Sequence, residues 1–296
     1  MGMNLPFLAR FLFIIAAIKN DILNKLFDIS ANRRTVPSES MLVLELGERY
    51  CCIAIMNRED FEAQRLVYYE GDNEDALLEQ IIGSEDEFRQ HFGDVLINYS
   101  FPESLMTPSE YYNLQDGKMM LDLLYGEERS MAVLSEHLPE WHMYNVYEVP
   151  KKIHSWLSMQ FHSGKYWHQY TSTLMNINAQ QGGDVLLLDF KTGQFSAIVL
   201  KGGQLQLVQT FGYSEPADVL YYLLKIANQF AMDQKSINLV LSGLIEKKSN
   251  LYTELYNYFG HVSFKANPFF LNLSPSFTKY PAHFFSSLFN LAACVS

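Results

Sequence analysis

Three short stretches carry side chains that could act on a ligand: Leu44-Glu45-Leu46-Gly47-Glu48-Arg49, Asp189-Phe190-Lys191-Thr192-Gly193 and Leu241-Ser242-Gly243-Leu244. In the first two an apolar run ends in a carboxylate and a glycine follows; the third ends in a serine and a glycine. An acid at the mouth of a sheet beside a tight turn raises the question of whether it meets a phosphate. Five histidines (His137, His142, His154, His162, His168) invite a metal reading instead. Their spacings of 5, 12, 8 and 6 match no HExxH motif and no i, i+4 ligand pair, so they read as surface and edge residues. No GxSxG elbow, Walker A loop or GxGxxG occurs.

The elements that must position these acids follow from local patterning. Residues 41–46, 50–56 and 61–69 are apolar runs separated by Gly47-Glu48 and by the polar turn 57–60, a three-strand meander. Residues 74–91 carry Leu77, Leu78, Ile81, Ile82 and Phe88 mostly at helical spacing, and 94–99 (DVLINY) read as a strand. The order then recurs. Residues 184–189 form a strand apolar enough to be covered on both faces, 194–200 return, Lys201-Gly202-Gly203 turn tightly, and 204–211 complete a second meander. Ser214 is the expected cap of a helix with Pro216 in its first turn, and 237–241 (INLVL) form another buried strand ending at Ser242-Gly243. Leu44-Glu45 and Leu188-Asp189 lie 144 positions apart, and the helix and next strand keep nearly that offset. Each half therefore reads βββαβ, with the last strand joining in parallel through a right-handed crossover.

Two such units, each with an acid closing its first strand, resemble the actin-like ATPase fold of actin, sugar kinases and heat-shock chaperone ATPases. More narrowly, the chain is similar to an uncharacterised bacterial family of small, degenerate members of that clan, from about Met41 to the C-terminus. The resemblance implies an α/β protein of two tandem ribonuclease H-like domains, each a mixed five-stranded sheet with flanking helices, facing a central cleft. The expected units are residues 1–40 as extension and linker, 41–180 as the first subdomain and 181–296 as the second.

In functional members of the clan, small turn residues let backbone N–H groups approach phosphates while two aspartates hold a hydrated Mg²⁺. The resemblance thereby assigns Glu45, Gly47, Asp189, Lys191, Thr192, Gly193, Ser242 and Gly243 to a vestigial nucleotide cleft. Each motif departs from the pattern. Glu45 replaces an aspartate, and Glu48 stands where a phosphate-binding hydroxyl belongs; a carboxylate aimed at a triphosphate is repelled by ~1 kcal/mol at about 4 Å in water, and by more in a cleft. Phe190 and Lys191 interrupt a run of small residues. Phe190 blocks backbone approach unless its ring turns into the core, and Lys191 could serve as a phosphate partner.

Composition narrows the function classes. With 22 Lys+Arg against 33 Asp+Glu and no basic block longer than Arg33-Arg34 or Lys247-Lys248, the chain is unsuited to nucleic acid or anionic membrane. Three cysteines, Cys51, Cys52 and Cys294, form no CxxC pattern and fit a reducing cytoplasm, with Cys51 and Cys52 on opposite faces of one strand. Residues 11–18 (FLFIIAAI) fall far short of the ~20 needed to span a bilayer. Membrane association, if any, would run through residues 1–37. Phe284, Phe285, Leu288 and Phe289 form a C-terminal stripe at helical spacing that reads as core. The expectation is a non-catalytic pseudo-ATPase with a protein or peptide partner and no metal or other cofactor. The alternative is a divergent ATPase or phosphotransferase using ATP and Mg²⁺.

Overall fold

The computed structural model describes residues 24–32, 35–71, 88, 90–126, 130–177 and 183–292. Most of the helix expected over 74–91 lies outside these residues, as do residues 11–18 and Cys294. In chain order the first part contains β1 (Asn24–Ser30), β2 (Ser40–Gly47), β3 (Tyr50–Asn57), β4 (Glu62–Glu70), β5 (Asp94–Ser100) and β6 (Ser104–Pro108). There follow α1 (Leu114–Tyr125), β7 (Met131–Leu138), β8 (Met143–Pro150), α2 (Lys151–Gln160), β9 (Lys165–His168) and α3 (Gln169–Met175). The second part has β10 (Val185–Lys191), β11 (Gln194–Lys201), β12 (Gln204–Gly212), α4 (Pro216–Gln229), β13 (Asn238–Gly243), α5 (Asn250–Tyr258) and β14 (His261–Phe264). It closes with the two-residue β15 (Asn272–Leu273) and α6 (Ser286–Ala292).

The two large sheets share one topology. Strand order β4-β3-β2-β5-β9 in the first matches β12-β11-β10-β13-β14 in the second. In both, a meander is antiparallel and the later strands run parallel to its first strand. β1 and β15 widen the first sheet to seven strands, both by pairing with β4. The two meanders fold on the expected turns; Gly202 and Gly203, both at positive φ, make the β11–β12 hairpin as its right-handed twist requires. The expected Ser214 cap is displaced by one residue. Glu215 caps α4 in a capping box with Asp218, whose carboxylate accepts the N–H groups of both Ser214 and Glu215 and is held below its usual range by them.

Strands β2 and β3 are buried along their whole length, which explains their largely apolar sequence, interrupted in β2 by Glu45. Leu42, Leu44 and Ile97 face Ile153, Leu157 and Phe161 of α2 and its end, while Met41, Val43 and Leu96 face the C-terminal Phe284, Phe285, Leu288 and Phe289. Each fully buried aliphatic or aromatic side chain contributes about 1.5–3 kcal/mol. Cys51 and Cys52 fall on the two opposite faces, as alternation demands.

Two features of the packing cross the expected units. The sheet begins with β1, well before Met41, because Ile29 completes the core under β4 and Arg65 pairs with Asp28. The C-terminal segment bridges the two sheets: Phe277, Phe284, Phe285, Leu288 and Phe289 pack on the first, while the His283 carbonyl accepts the Gly243 N–H and its ring stacks on Phe264 of the second. Between β5 and α2 lies a further unit, the three-stranded sheet β6-β8-β7 with α1 against it.

Where this unit meets α3, two titrating groups oppose each other. His168 is fully enclosed; its Nε2 reaches the Phe101 carbonyl at 2.9 Å and its Nδ1 accepts the Tyr170 N–H, so burial holds it neutral and lowers it to about 4. Glu136 accepts the Tyr147 hydroxyl at 2.6 Å and the His168 N–H, and burial pushes it up to about 7. A raised carboxyl stabilises the fold only where it is protonated. That contribution is lost as pH rises from about 4.3 through its folded value. His168 has the reverse sign, stability being lost as pH falls from about 6.5 toward its folded value. Glu136→Gln, which keeps both acceptor contacts, is expected to gain about 3–4 kcal/mol at pH 8 and almost nothing at pH 4 relative to wild type. Urea unfolding at several pH values checks it; an equal effect at both ends would show that Glu136 does not hold a proton.

Candidate functional site

Glu45 and Asp189 come together across the two sheets. Each acid is the sixth or fifth residue of a central strand, β2 or β10, and each strand runs alongside its parallel neighbour, so Glu45 pairs with Asn98 and Asp189 with Ser242. Period-two alternation sets Asp189 and Lys191 on one face of β10 and Phe190 on the other. The Phe190 ring is accordingly buried in the core, stacked on Phe195 at 5.5 Å, and is no barrier in the cleft. The side chain that enters the cleft is Lys191.

The Lys191 ammonium lies 2.7 Å from Glu45 Oε1 and 3.1 Å from Asp189 Oδ2, and it donates to Ser287 Oγ at 2.6 Å. An ammonium has three protons to donate, and here three oxygens on three separate segments accept them. The Tyr50 ring approaches from a further side, at 5.6 Å. Burial alone would lower the lysine, but the carboxylates of Asp189 and Glu45 outweigh it and hold the ammonium above its ordinary value. Glu45 is also anchored: its Oε1 accepts the Tyr50 hydroxyl at 3.0 Å and its Oε2 accepts Asn98 Nδ2 at 2.9 Å, while Asn98 accepts from Ser172. Burial, then Glu45, raises the Tyr50 phenol well above its usual range, so it stays a donor.

The remaining expected residues divide. Ser242 belongs to the cluster, its hydroxyl 2.8 Å from Asp189 Oδ1 and 3.0 Å from the Leu188 carbonyl. Gly243, at φ 76°, presses against the Phe190 backbone where no side chain would fit. Gly47 lies under the Tyr50 ring. Thr192 and Gly193 are in the β10–β11 turn but face the first sheet: Thr192 Oγ1 is 3.3 Å from both Glu70 Oε2 and the Tyr68 hydroxyl, and Arg49 lies beside Gly193. They brace the two sheets rather than join the acid cluster. Tyr50, Asn98 and Ser287 join it unexpectedly; only Asn98, a polar residue in the middle of DVLINYS, leaves a trace in the sequence.

A cavity of about 20 Å³ adjoins Asp189, Ser242 and Ser287. That is room for roughly one water, against the ~300–1,000 Å³ of ligand pockets. Lys265 also lines it, and burial lowers its ammonium despite the pull of Asp189. Among the described residues no three His, Cys, Asp or Glu side chains form a metal set, and His137, His142, His154, His162 and His168 lie on separate elements. No described helix is long and apolar enough to cross a membrane.

Two sheets of this shared order, with an acid near the end of the first strand of each, define a protein of the actin-like ATPase fold. The similar solved structures agree. A Bacteroides thetaiotaomicron protein with actin-like ATPase fold and unknown function superimposes at TM-score 0.69 and 18% identity, over 77% of this chain and 91% of that one. A chain of the PilM-PilN type IV pilus biogenesis complex follows at TM-score 0.56 and 12% identity, covering 87% of this chain and 99% of that one. The chain belongs to the family described as protein of unknown function (DUF3822), which it matches over residues 33–262. No curated protein matches it in sequence.

Proposed function

We propose that this protein is a non-catalytic binding or scaffold member of the actin-like class, in which an internal ion cluster replaces the nucleotide site. The observation that carries this reading is Lys191, whose ammonium bridges Glu45 and Asp189 as a metal ion would. A built-in cation satisfies both acids without Mg²⁺ and leaves neither charge free to take one. The small cavity beside Asp189 supports the same reading. A protein or peptide partner fits it, as does the solved complex in which PilM is found with PilN. Free, buried Cys51 and Cys52 are in keeping with a cytoplasmic setting.

Calorimetric titration of the purified protein with ATP and Mg²⁺, beside Asp189→Asn, tests the reading. The expected result is no binding heat at millimolar nucleotide for either protein. Micromolar binding abolished by Asp189→Asn would overturn it in favour of a divergent ATPase or phosphotransferase.

A further inference from the structure

Helix α1 has two apolar faces and uses one. Asn113 caps its start, accepting the Gln115 N–H at 2.9 Å, and Gly126 at φ 100° ends it. Gly117, costly by ~1 kcal/mol in mid-helix, is explained by close approach: a Cβ there would meet Val146 of β8 at 3.1 Å. Gly117 and Leu121 are the residues it buries. On another side Met119, Met120, Leu123 and Leu124 stand in solvent, Met119 at 68% and Leu123 at 85% exposure. A surface helix ordinarily turns polar residues outward, so a stripe at i, i+1, i+4 and i+5 marks an interaction surface.

Charge selects the occupant. Asp116, exposed, is one turn ahead of Met119 and Met120 on the same side, and exposed Glu110 precedes the helix. Lys118 pairs with Asp122 at 3.0 Å, away from the stripe. Two copies packed in parallel through this stripe would bring acidic start to acidic start. A helix with an apolar face and Lys or Arg at the end that meets Asp116 and Glu110 satisfies both features, and the flexible methionines suit such a contact. We propose that the outer face of α1 docks a basic amphipathic helix of a partner protein. This names the partner class for the binding reading above and rests on it.

The test is titration of the full chain with a synthetic Leu/Lys amphipathic helical peptide, and with a Leu/Glu peptide of the same pattern. The Leu/Lys peptide is expected to bind and the Leu/Glu peptide not. Met119→Glu/Leu123→Glu, both at exposed positions, should weaken binding roughly tenfold or more with Tm unchanged, and Asp116→Lys should weaken it several-fold. No binding, or equal affinity for wild type and the double variant, overturns the proposal, the latter showing mere attraction to a chain of net charge -11. A dimer in sedimentation that the double variant dissolves overturns it in favour of a second copy. The nucleotide titration fails or succeeds independently, so loss of the ion-cluster reading and loss of this surface are told apart.

Discussion

Lys191→Ala is expected to lose about 3–5 kcal/mol of folding stability, the cost of removing one partner from a buried charge cluster. The Lys191 side chain is 6% exposed, Glu45 1% and Asp189 16%, so water screens Glu45 hardly at all and Asp189 only in part. An exposed pair of the same geometry would be worth only ~0–1 kcal/mol. The whole loss should not be counted as the strength of the bridge, because much of it is the penalty of leaving Glu45 and Asp189 facing each other. Lys191→Ala/Glu45→Gln is therefore expected to recover a large part of the stability, a coupling that a double-mutant cycle by urea unfolding measures directly. Because the lysine is raised, its contribution is fully present below the unfolded value of about 10.4 and is lost only as pH rises through the higher folded value. The deficit should accordingly be flat across neutral pH. Millimolar Mg²⁺ is expected to raise the Tm of Lys191→Ala, whose two acids are unbridged, and to leave wild type unmoved. A loss under about 1 kcal/mol would mean that the cleft is wet and the bridge incidental.

Gly243→Ala is expected to cost about 3 kcal/mol or more. The residue sits at φ 76°, where any L side chain is disfavoured by ~1–2 kcal/mol, and its Cβ would run into the Phe190 carbonyl oxygen and nitrogen. Nothing nearby can yield cheaply. The Gly243 N–H donates to the His283 carbonyl at 2.9 Å, and the Leu244 N–H donates to the Phe190 carbonyl at 2.8 Å, so the chain is pinned on both sides of the clash. Gly202→Ala is the control: φ is 56°, also left-handed, but a Cβ there meets nothing. It should cost only about 1 kcal/mol. Thermal unfolding of the two variants side by side decides the matter, and equal losses would show that the approach of β13 to Phe190 is not as close as described. Gly243, one of the residues that the resemblance assigned to a vestigial nucleotide cleft, lies in close strand packing.

Much of the scaffold was legible because its information is local. Alternation and turn residues located β2 through β5 and β10 through β13 to within a few residues, and the common order of the halves led to the actin-like class. The acids followed, since Glu45 and Asp189 end apolar runs. That Asp189 and Lys191 share a face while Phe190 faces the core was also implicit in period two. Helix α1 escaped notice although Asn113 and Gly126 bracket it, because its outward stripe disguises which side is buried.

What the sequence determined by itself was the set of strands, their repeated order and the presence of an acid near the end of each first strand, all consequences of spacing along the chain. What only the tertiary structure decided was the meaning of Lys191. Its acceptors Glu45 and Ser287 lie far away in sequence on opposite sides of it, and no local pattern tells a lysine awaiting a phosphate from one already held by three oxygens. The same holds for the C-terminal phenylalanines: an apolar stripe must be covered, but that it packs on Met41, Val43 and Leu96 of the first sheet is decided only by contacts far apart in sequence.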